Sequence, residues 1–108
     1  MNLKKELTKG SSALLVLSVL KKKDMYGYQI IKEIELSSEK VFSFKEGTLY
    51  PILTRMKNAG YLTYRWEESP QGPPRKYYTL TEDGREYLRS LDEAWDKLVE
   101  QINAIRGK

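Results

Sequence analysis

The strongest constraint on the fold is an apolar stripe along the last quarter of the chain. Thr81 is a suitable N-cap, and the segment after it predicts one long helix. Its apolar residues are spaced three and four apart, which is typical of a helix that packs lengthwise against another helix. The stripe is too short for an isolated coiled coil, so it predicts a dimer interface at Leu88, Leu91, Trp95, Leu98, Ile102 and Ile105. The alternative is packing on the chain's own domain, but few partner helices of matching length precede it.

Charge divides the chain into two parts. Of 19 basic and 15 acidic side chains, residues 82–108 hold 5 and 7. Residues 1–81 therefore hold 14 and 8, a net charge of +6. This excess suits a phosphate-binding surface in the first part, although ordinary solubility would also explain it. We expect residues 1–81 to form one domain and residues 82–108 to form a dimerisation helix that packs with the first helix.

Several function classes are disfavoured by composition. The 108 residues contain no cysteine and no histidine, which removes thiolate chemistry and the commonest general base and zinc ligand. We therefore expect no enzyme, no metal site and no cofactor. The apolar run at residues 13–20 is shorter than a membrane span, and lysines follow it. We expect a cytoplasmic protein without a membrane segment.

Hydrophobic periodicity predicts three helices before the hairpin. The first covers about Leu3 to Lys22, and it starts or bends near Gly10. The second covers about Tyr26 to Glu39, with Asp24 as N-cap. The third covers about residues 46–58, where apolar residues recur at i, i+3, i+4 and i+7 and Pro51 makes the start uncertain.

Two aromatic-rich alternating runs then predict a β-hairpin. They cover residues 61–66 and 75–80, and residues 69–74 between them are rich in proline and glycine. The sequence therefore predicts a hairpin with a long tip. Three helices followed by a hairpin form the winged helix-turn-helix, so we expect a mostly α member of the α+β class with a long C-terminal helix.

Three motifs in this order resemble the PadR-like family of transcriptional regulators. They are YGYQI at residues 26–30, EGTLYPILTRMKNAGYL at residues 46–62 and GPPRKYYTLTEDG at residues 72–84. The resemblance implies a homodimer that binds a short palindromic operator, usually as a repressor. The helix pattern and the resemblance together indicate DNA contacts from Tyr28, Lys45, Thr48, Tyr50, Arg55, Lys57, Arg75 and Lys76.

The resemblance also points to a ligand site. In a multidrug-binding member of that family, a tryptophan at the place of Trp95 stacks planar aromatic molecules between the subunits. Trp95 would then bind such a ligand with Val99, and Asp92, Asp96 and Glu100 would favour a cation. The alternative is that Trp95 is interface core without any ligand. We expect the first residues, including Leu3 and Leu7, to complete the dimer interface.

One further function remains open from the sequence alone. A winged helix can bind a protein instead of DNA, because a fold does not fix a function. Salt-dependent binding to duplex DNA separates the two, since counterion release is the signature of phosphate contacts.

Overall fold

The computed structural model describes residues 10–108, which form four helices and one three-stranded sheet. Helices α1 (Ser12–Lys22), α2 (Gly27–Ser37) and α3 (Glu46–Asn58) precede the hairpin. The apolar face of each helix faces a common core, and the described part of the chain thereby confirms the winged-helix prediction. The buried aliphatic residues of the three helices are Val16, Leu17, Val19, Leu20, Ile30, Ile31, Ile34, Leu49, Ile52, Leu53 and Met56.

The first helix begins at the weak point that the sequence indicates. Gly10 has a φ of 83°, and the helix starts at Ser12. The predicted helix from Leu3 covers residues that lie outside the described ones, and so do the interface predictions for Leu3 and Leu7.

The start of α2 differs from the prediction, because Asp24 does not cap it. The N-cap is Tyr26, whose backbone N–H donates to the Gln29 side chain at 3.2 Å. Met25–Tyr26 is instead a short strand, β1, and it pairs with the hairpin. Asp24 accepts a hydrogen bond at 2.5 Å from Arg65, since the added strand carries it to the sheet.

The hairpin strands are longer than predicted, and the tip is correspondingly shorter. Strands β2 (Leu62–Ser69) and β3 (Gly72–Leu80) leave only residues 70–71 between them. The sheet is antiparallel in the order β1-β3-β2. The prediction of a six-residue tip was wrong. Residues 73 and 74 are prolines that strand β3 accommodates, because they lie beyond the segment of β3 that pairs with β1.

Helix α4 (Glu82–Arg106) starts at Thr81 as predicted, where the threonine hydroxyl accepts from the Gly84 N–H at 3.0 Å. The first part of α4 packs on α1 and also contacts Tyr61, in the turn that follows α3. Gly84 lies against the Tyr61 carbonyl, where an added Cβ would be 2.1 Å from the oxygen. The rings of Tyr61 and Tyr87 stack in parallel, with centroids 4.1 Å apart.

The apolar stripe of α4 divides between the core and the surface. Leu88 is 3% exposed and belongs to the core of its own chain, which corrects its assignment to a dimer interface. Leu91 is half-buried against the same core. The rest of the stripe is exposed and has no covering element among residues 10–108: Trp95, Leu98, Ile102 and Ile105, with Val99 beside them.

Candidate nucleic-acid interface

The face of α3 that lies opposite the core forms an exposed ridge. Four buried residues define the inner face of this helix. Because the helix has 3.6 residues per turn, residues spaced three or four positions apart align along the opposite face. This ridge consists of Gly47, Pro51, Thr54 and Asn58, all of them exposed.

The predicted contact residues of α3 lie on the two flanks of this ridge. Thr48 and Arg55 are seven residues apart and share one flank, whereas Tyr50 and Lys57 share the flank next to the hairpin. All four side chains are exposed, and Lys45 is exposed at the N-cap of the helix. The helix therefore offers polar groups over about half of its circumference.

Tyr50 has a fixed place because Gly27 has no side chain. The ring of Tyr50 lies across the first residue of α2, where an added Cβ would be 2.7 Å from the phenolic oxygen. Tyr50 is nevertheless 43% exposed. The contact holds the Tyr50 side chain between the beginnings of α2 and α3.

A first cleft separates Tyr50 from the hairpin and has a volume of about 310 Å³. The guanidinium carbon of Arg75 lies 4.5 Å from the centre of the Tyr26 ring, which forms one wall. Tyr28 is exposed and stacks loosely with Tyr26, with centroids 6.5 Å apart. Four of the predicted contact residues thus lie at or beside one cleft: Tyr28, Tyr50, Arg75 and Lys76.

A second cleft of about 180 Å³ lies between the C-terminal half of α3 and the hairpin. Lys57 borders it from the helix and Lys76 from β3. The Lys76 ammonium group lies 4.3 Å from the centre of the Tyr64 ring and 5.2 Å from that of Trp66. The structure therefore places Lys57 and Lys76 on the same side of the molecule.

Tyr78 lies at the base of both clefts and is 5% exposed. Burial raises the pKa of its hydroxyl, and the neighbouring hydroxyls of Tyr50 and Tyr64 add to the effect. A protonated tyrosine hydroxyl can act as a hydrogen-bond donor.

Arg65 is committed to contacts within the protein. Its guanidinium group donates to Asp24 and, at 2.6 Å, to Glu67, and it lies 5.4 Å from the centre of the Tyr77 ring. The hydrogen bonds to Asp24 and Glu67 raise the pKa of Arg65. This arginine links the hairpin to the chain just before β1, and its charge is already neutralised.

The other cations of this surface are available to a partner. Within residues 10–108, none of those predicted to contact DNA forms an ion pair. Their uncompensated positive charge would attract an anionic surface. They are Lys45, Arg55, Lys57, Arg75 and Lys76.

The winged-helix core also has a match among known protein families. The model of the transcriptional regulator PadR-like family matches residues 16–90, which is more than half of the chain. The chain belongs to this family.

Solved structures of PadR-like proteins extend the likeness to α4. A PadR-like transcription factor from Bacteroides fragilis is 41% identical, with a TM-score of 0.77 over 97% of this chain and 99% of that one. A transcriptional regulator from Clostridium thermocellum is 30% identical, with a TM-score of 0.83 over 92% and 96%. The long C-terminal helix is therefore part of the fold that these regulators share.

The transcriptional regulator YqjI of Escherichia coli is a longer relative. It is 30% identical over 95 residues, which cover 88% of this chain but 44% of that protein. The chain thus spans less than half of YqjI. YqjI and the two solved structures above are named as transcriptional regulators or transcription factors.

Sequence reasoning missed four residues of the PadR-like surface. Thr54 and Asn58 lie on the ridge of α3, and a helical wheel centred on the buried residues would have found them. Tyr64 and Trp66 border the clefts. In the sequence, their place in an alternating run indicated a strand but no binding role. The register of β2 against β3, which pairs Trp66 with Lys76, is the missing information.

The residues predicted to bind a ligand lie on α4, away from both clefts. Trp95, Asp96 and Val99 are exposed on the helix. Asp92 borders a separate cleft of about 180 Å³ that it shares with cations, which offsets its attraction for a cationic ligand. These cations are Lys21, Arg85 and Arg89.

Residues 10–108 contain neither a metal-binding cluster nor a membrane-spanning helix. No group of three or more acidic side chains there could hold a metal ion. In the same part of the chain, every helix is too short or too polar to cross a membrane.

Proposed function

We propose that this PadR-like regulator is a repressor that binds a palindromic DNA operator as a homodimer. The observation that carries the proposal is the position of unpaired cations on both sides of the exposed ridge of α3. The major groove admits an α-helix, and base edges there differ in their hydrogen-bonding groups. The ridge and its flanks supply such groups at Thr48, Tyr50 and Arg55.

The hairpin supplies contacts of another kind. Arg75 and Lys76 extend from β3 beside α3, and lysine and arginine mainly contact phosphates. Phosphate contacts fix the position of the protein on the duplex, while the helix reads the sequence. A dimer would repeat this arrangement at two half-sites about 34–36 Å apart.

Titration of the purified protein with labelled duplexes tests DNA binding directly. We expect the logarithm of the affinity to fall linearly with the logarithm of salt concentration, because binding releases counterions. Fluorescence anisotropy between 50 and 300 mM salt measures the slope. A flat response, or no binding to any of a genomic library of duplexes, would refute DNA binding and favour a protein-interaction module.

Gly47 provides a variant that separates DNA binding from folding. An added Cβ there meets nothing within 4 Å, so the fold does not require glycine at this place. We expect Gly47→Ala to raise the free energy of unfolding by up to about 0.5 kcal/mol, because alanine restricts the unfolded chain. We expect it to lower operator affinity about 5-fold, because the methyl group holds the ridge away from the base edges.

Thermal unfolding and anisotropy measure the two effects. An unchanged affinity for the operator would show that Gly47 lies away from the DNA. The unchanged or raised melting temperature serves as the internal control for folding.

The exposed end of the α4 stripe supports the homodimer. Trp95, Leu98 and Ile102 lie on one side of the helix and are 40–47% exposed. Contiguous apolar surface of this kind marks an interaction site. A second copy supplies a helix of matching length, and a two-fold axis across the stripe would bring the same apolar patch of both subunits together.

Trp95→Ala is the variant that tests this interface. We expect the dissociation constant of the dimer to rise about 30-fold, since a large aromatic side chain near the centre of an interface is a typical hot spot. Analytical ultracentrifugation measures the change. Gln101→Ala, an exposed residue beside the stripe, is the matched control, and equal effects of the two variants would contradict the assignment.

Ligand binding by Trp95, Val99, Asp92 and Asp96 stays a prediction that the same variant tests. Planar aromatic cations should quench the fluorescence of Trp95 saturably in a Trp66→Phe background. Isothermal titration calorimetry, which does not depend on tryptophan, should show that Trp95→Ala abolishes their binding. The absence of quenching by a broad panel would leave Trp95 as interface core.

A further inference from the structure

The groove between α3 and the hairpin lies where a sugar-phosphate strand of a bound duplex would pass. A helix in the major groove and a hairpin reaching the next minor groove lie on either side of one sugar-phosphate strand. The two clefts described above are consecutive parts of this groove, and both are lined by Lys76 and Tyr78. If the protein binds DNA as proposed, a backbone strand runs along this groove.

The second cleft has the composition of an anion site. Two ammonium groups border it, and no acidic residue among residues 10–108 does. The Thr54 hydroxyl and the Asn58 amide are potential neutral donors at its rim. Both lie where the exposed ridge of α3 meets the cleft, so an anion in the cleft could reach them.

Two lysines of this cleft share one aromatic neighbour. The Lys76 ammonium lies 4.3 Å from the centre of the Tyr64 ring, and that of Lys57 lies 5.7 Å from it. Neither lysine forms an ion pair within residues 10–108. Two cations beside one ring repel each other, and an anion between them would remove the repulsion.

Trp66 has no packing role that explains its place. It is 62% exposed, on the same face of the sheet as Tyr64 and opposite Lys76 in the strand register. Its ring lies edge-on to Tyr64 and 5.2 Å from the Lys76 ammonium group. The two rings therefore hold the flexible Lys76 side chain in one position. Less conformational entropy is then lost when this lysine binds a partner.

We propose that this cleft binds a single phosphate of the DNA backbone, which Lys57 and Lys76 contact together. Tyr64 and Trp66 are positioning residues that hold the Lys76 ammonium group for this contact. The proposal rests on the proposed DNA binding and adds to it a shared phosphate between the recognition helix and the wing.

The salt dependence of binding tests whether the two lysines share a phosphate. The slope reports how many phosphates are neutralised, at about 0.9 for each. With one shared phosphate, Lys57→Gln or Lys76→Gln alone should weaken binding about 5-fold and leave the slope nearly unchanged, because the other lysine remains. The double variant should reduce the slope by about 0.9 per subunit.

Two outcomes would overturn the shared site. Separate phosphates would give a slope reduction of about 0.9 per subunit in each single variant and about twice that in the double variant. An affinity and a slope that are unchanged in the double variant would show that no phosphate binds there. If the unaltered protein bound no duplex at all, DNA binding itself would fail, so the two failures are distinguishable.

A double-mutant cycle tests the role of Trp66. We expect Trp66→Leu to weaken duplex binding about 3-fold, and Trp66→Phe to retain most of the affinity because a ring remains. In the Lys76→Gln background, Trp66→Leu should have no further effect. A full additional loss in that background would mean that Trp66 contacts the DNA itself, which would overturn its positioning role; circular dichroism confirms the fold of each variant.

Discussion

Replacement of Gly84 by alanine is expected to destabilise the folded protein by about 3 kcal/mol, because the site has no room for a methyl group. The added Cβ would lie 2.1 Å from the Tyr61 carbonyl oxygen and 3.0 Å from its carbon. These atoms belong to the backbone, so a rotamer change cannot relieve the overlap. The helix must move away from the turn that connects α3 to β2.

That movement would disturb several contacts at once. The Tyr61 carbonyl accepts a hydrogen bond from the Thr81 N–H at 3.1 Å, and the Thr81 hydroxyl donates to Gly60 at 2.7 Å. The stacked rings of Tyr61 and Tyr87 join the same two elements. Gly84→Ala should therefore loosen the attachment of α4 to the winged-helix core.

Urea unfolding monitored by circular dichroism measures the loss. Gly47→Ala is the matched control, since it makes the same change in a helix where the new atom meets nothing. A Gly84→Ala protein as stable as the control would show that the close approach to Tyr61 does not exist in solution.

Simultaneous replacement of Arg75 and Lys76 by alanine is expected to lower the affinity for any duplex about 100-fold at 100 mM salt. Both cations lack ion pairs within residues 10–108, so removing them leaves no buried charge uncompensated. Each is held on an aromatic ring, Arg75 on Tyr26 and Lys76 on Tyr64. Phosphates carry no sequence information, so the loss should be similar for operator and unrelated DNA.

The salt slope should become shallower by about 0.9 per subunit rather than twice that, because Lys57 remains beside the phosphate of Lys76. Anisotropy titrations over a series of salt concentrations measure both quantities. Arg106→Ala combined with Lys108→Ala removes the same charge from the far end of α4. If this control lost as much affinity, general attraction rather than contact would be responsible, and a loss limited to one sequence would exclude a phosphate role.

Local sequence patterns were sufficient to predict most of the fold. The third helix was predicted at its observed bounds, because its buried residues follow the helical repeat within thirteen positions. The cap at Thr81 and the length of α4 were also predicted, since both depend on neighbours in sequence. The hairpin was found, but its tip was not, because proline and glycine indicate a turn without specifying where strand pairing ends.

Contacts between distant segments were not predictable in this way. Strand β1 has two residues and exists only because β3, about fifty residues later, pairs with it. Because of the same pairing, Asp24 binds Arg65 instead of capping the second helix as predicted. In the candidate site, the cations were found from charge and family resemblance, but the rings that hold them depend on strand register, which no local pattern fixes.

The contact between Tyr50 and Gly27 constrains the evolution of these two positions. Any side chain at position 27 would occupy the space of the Tyr50 hydroxyl. A side chain at position 27 is therefore tolerated only after Tyr50 has been replaced by a smaller residue. Across related regulators, positions 27 and 50 should vary as a pair, with glycine kept wherever the tyrosine is present.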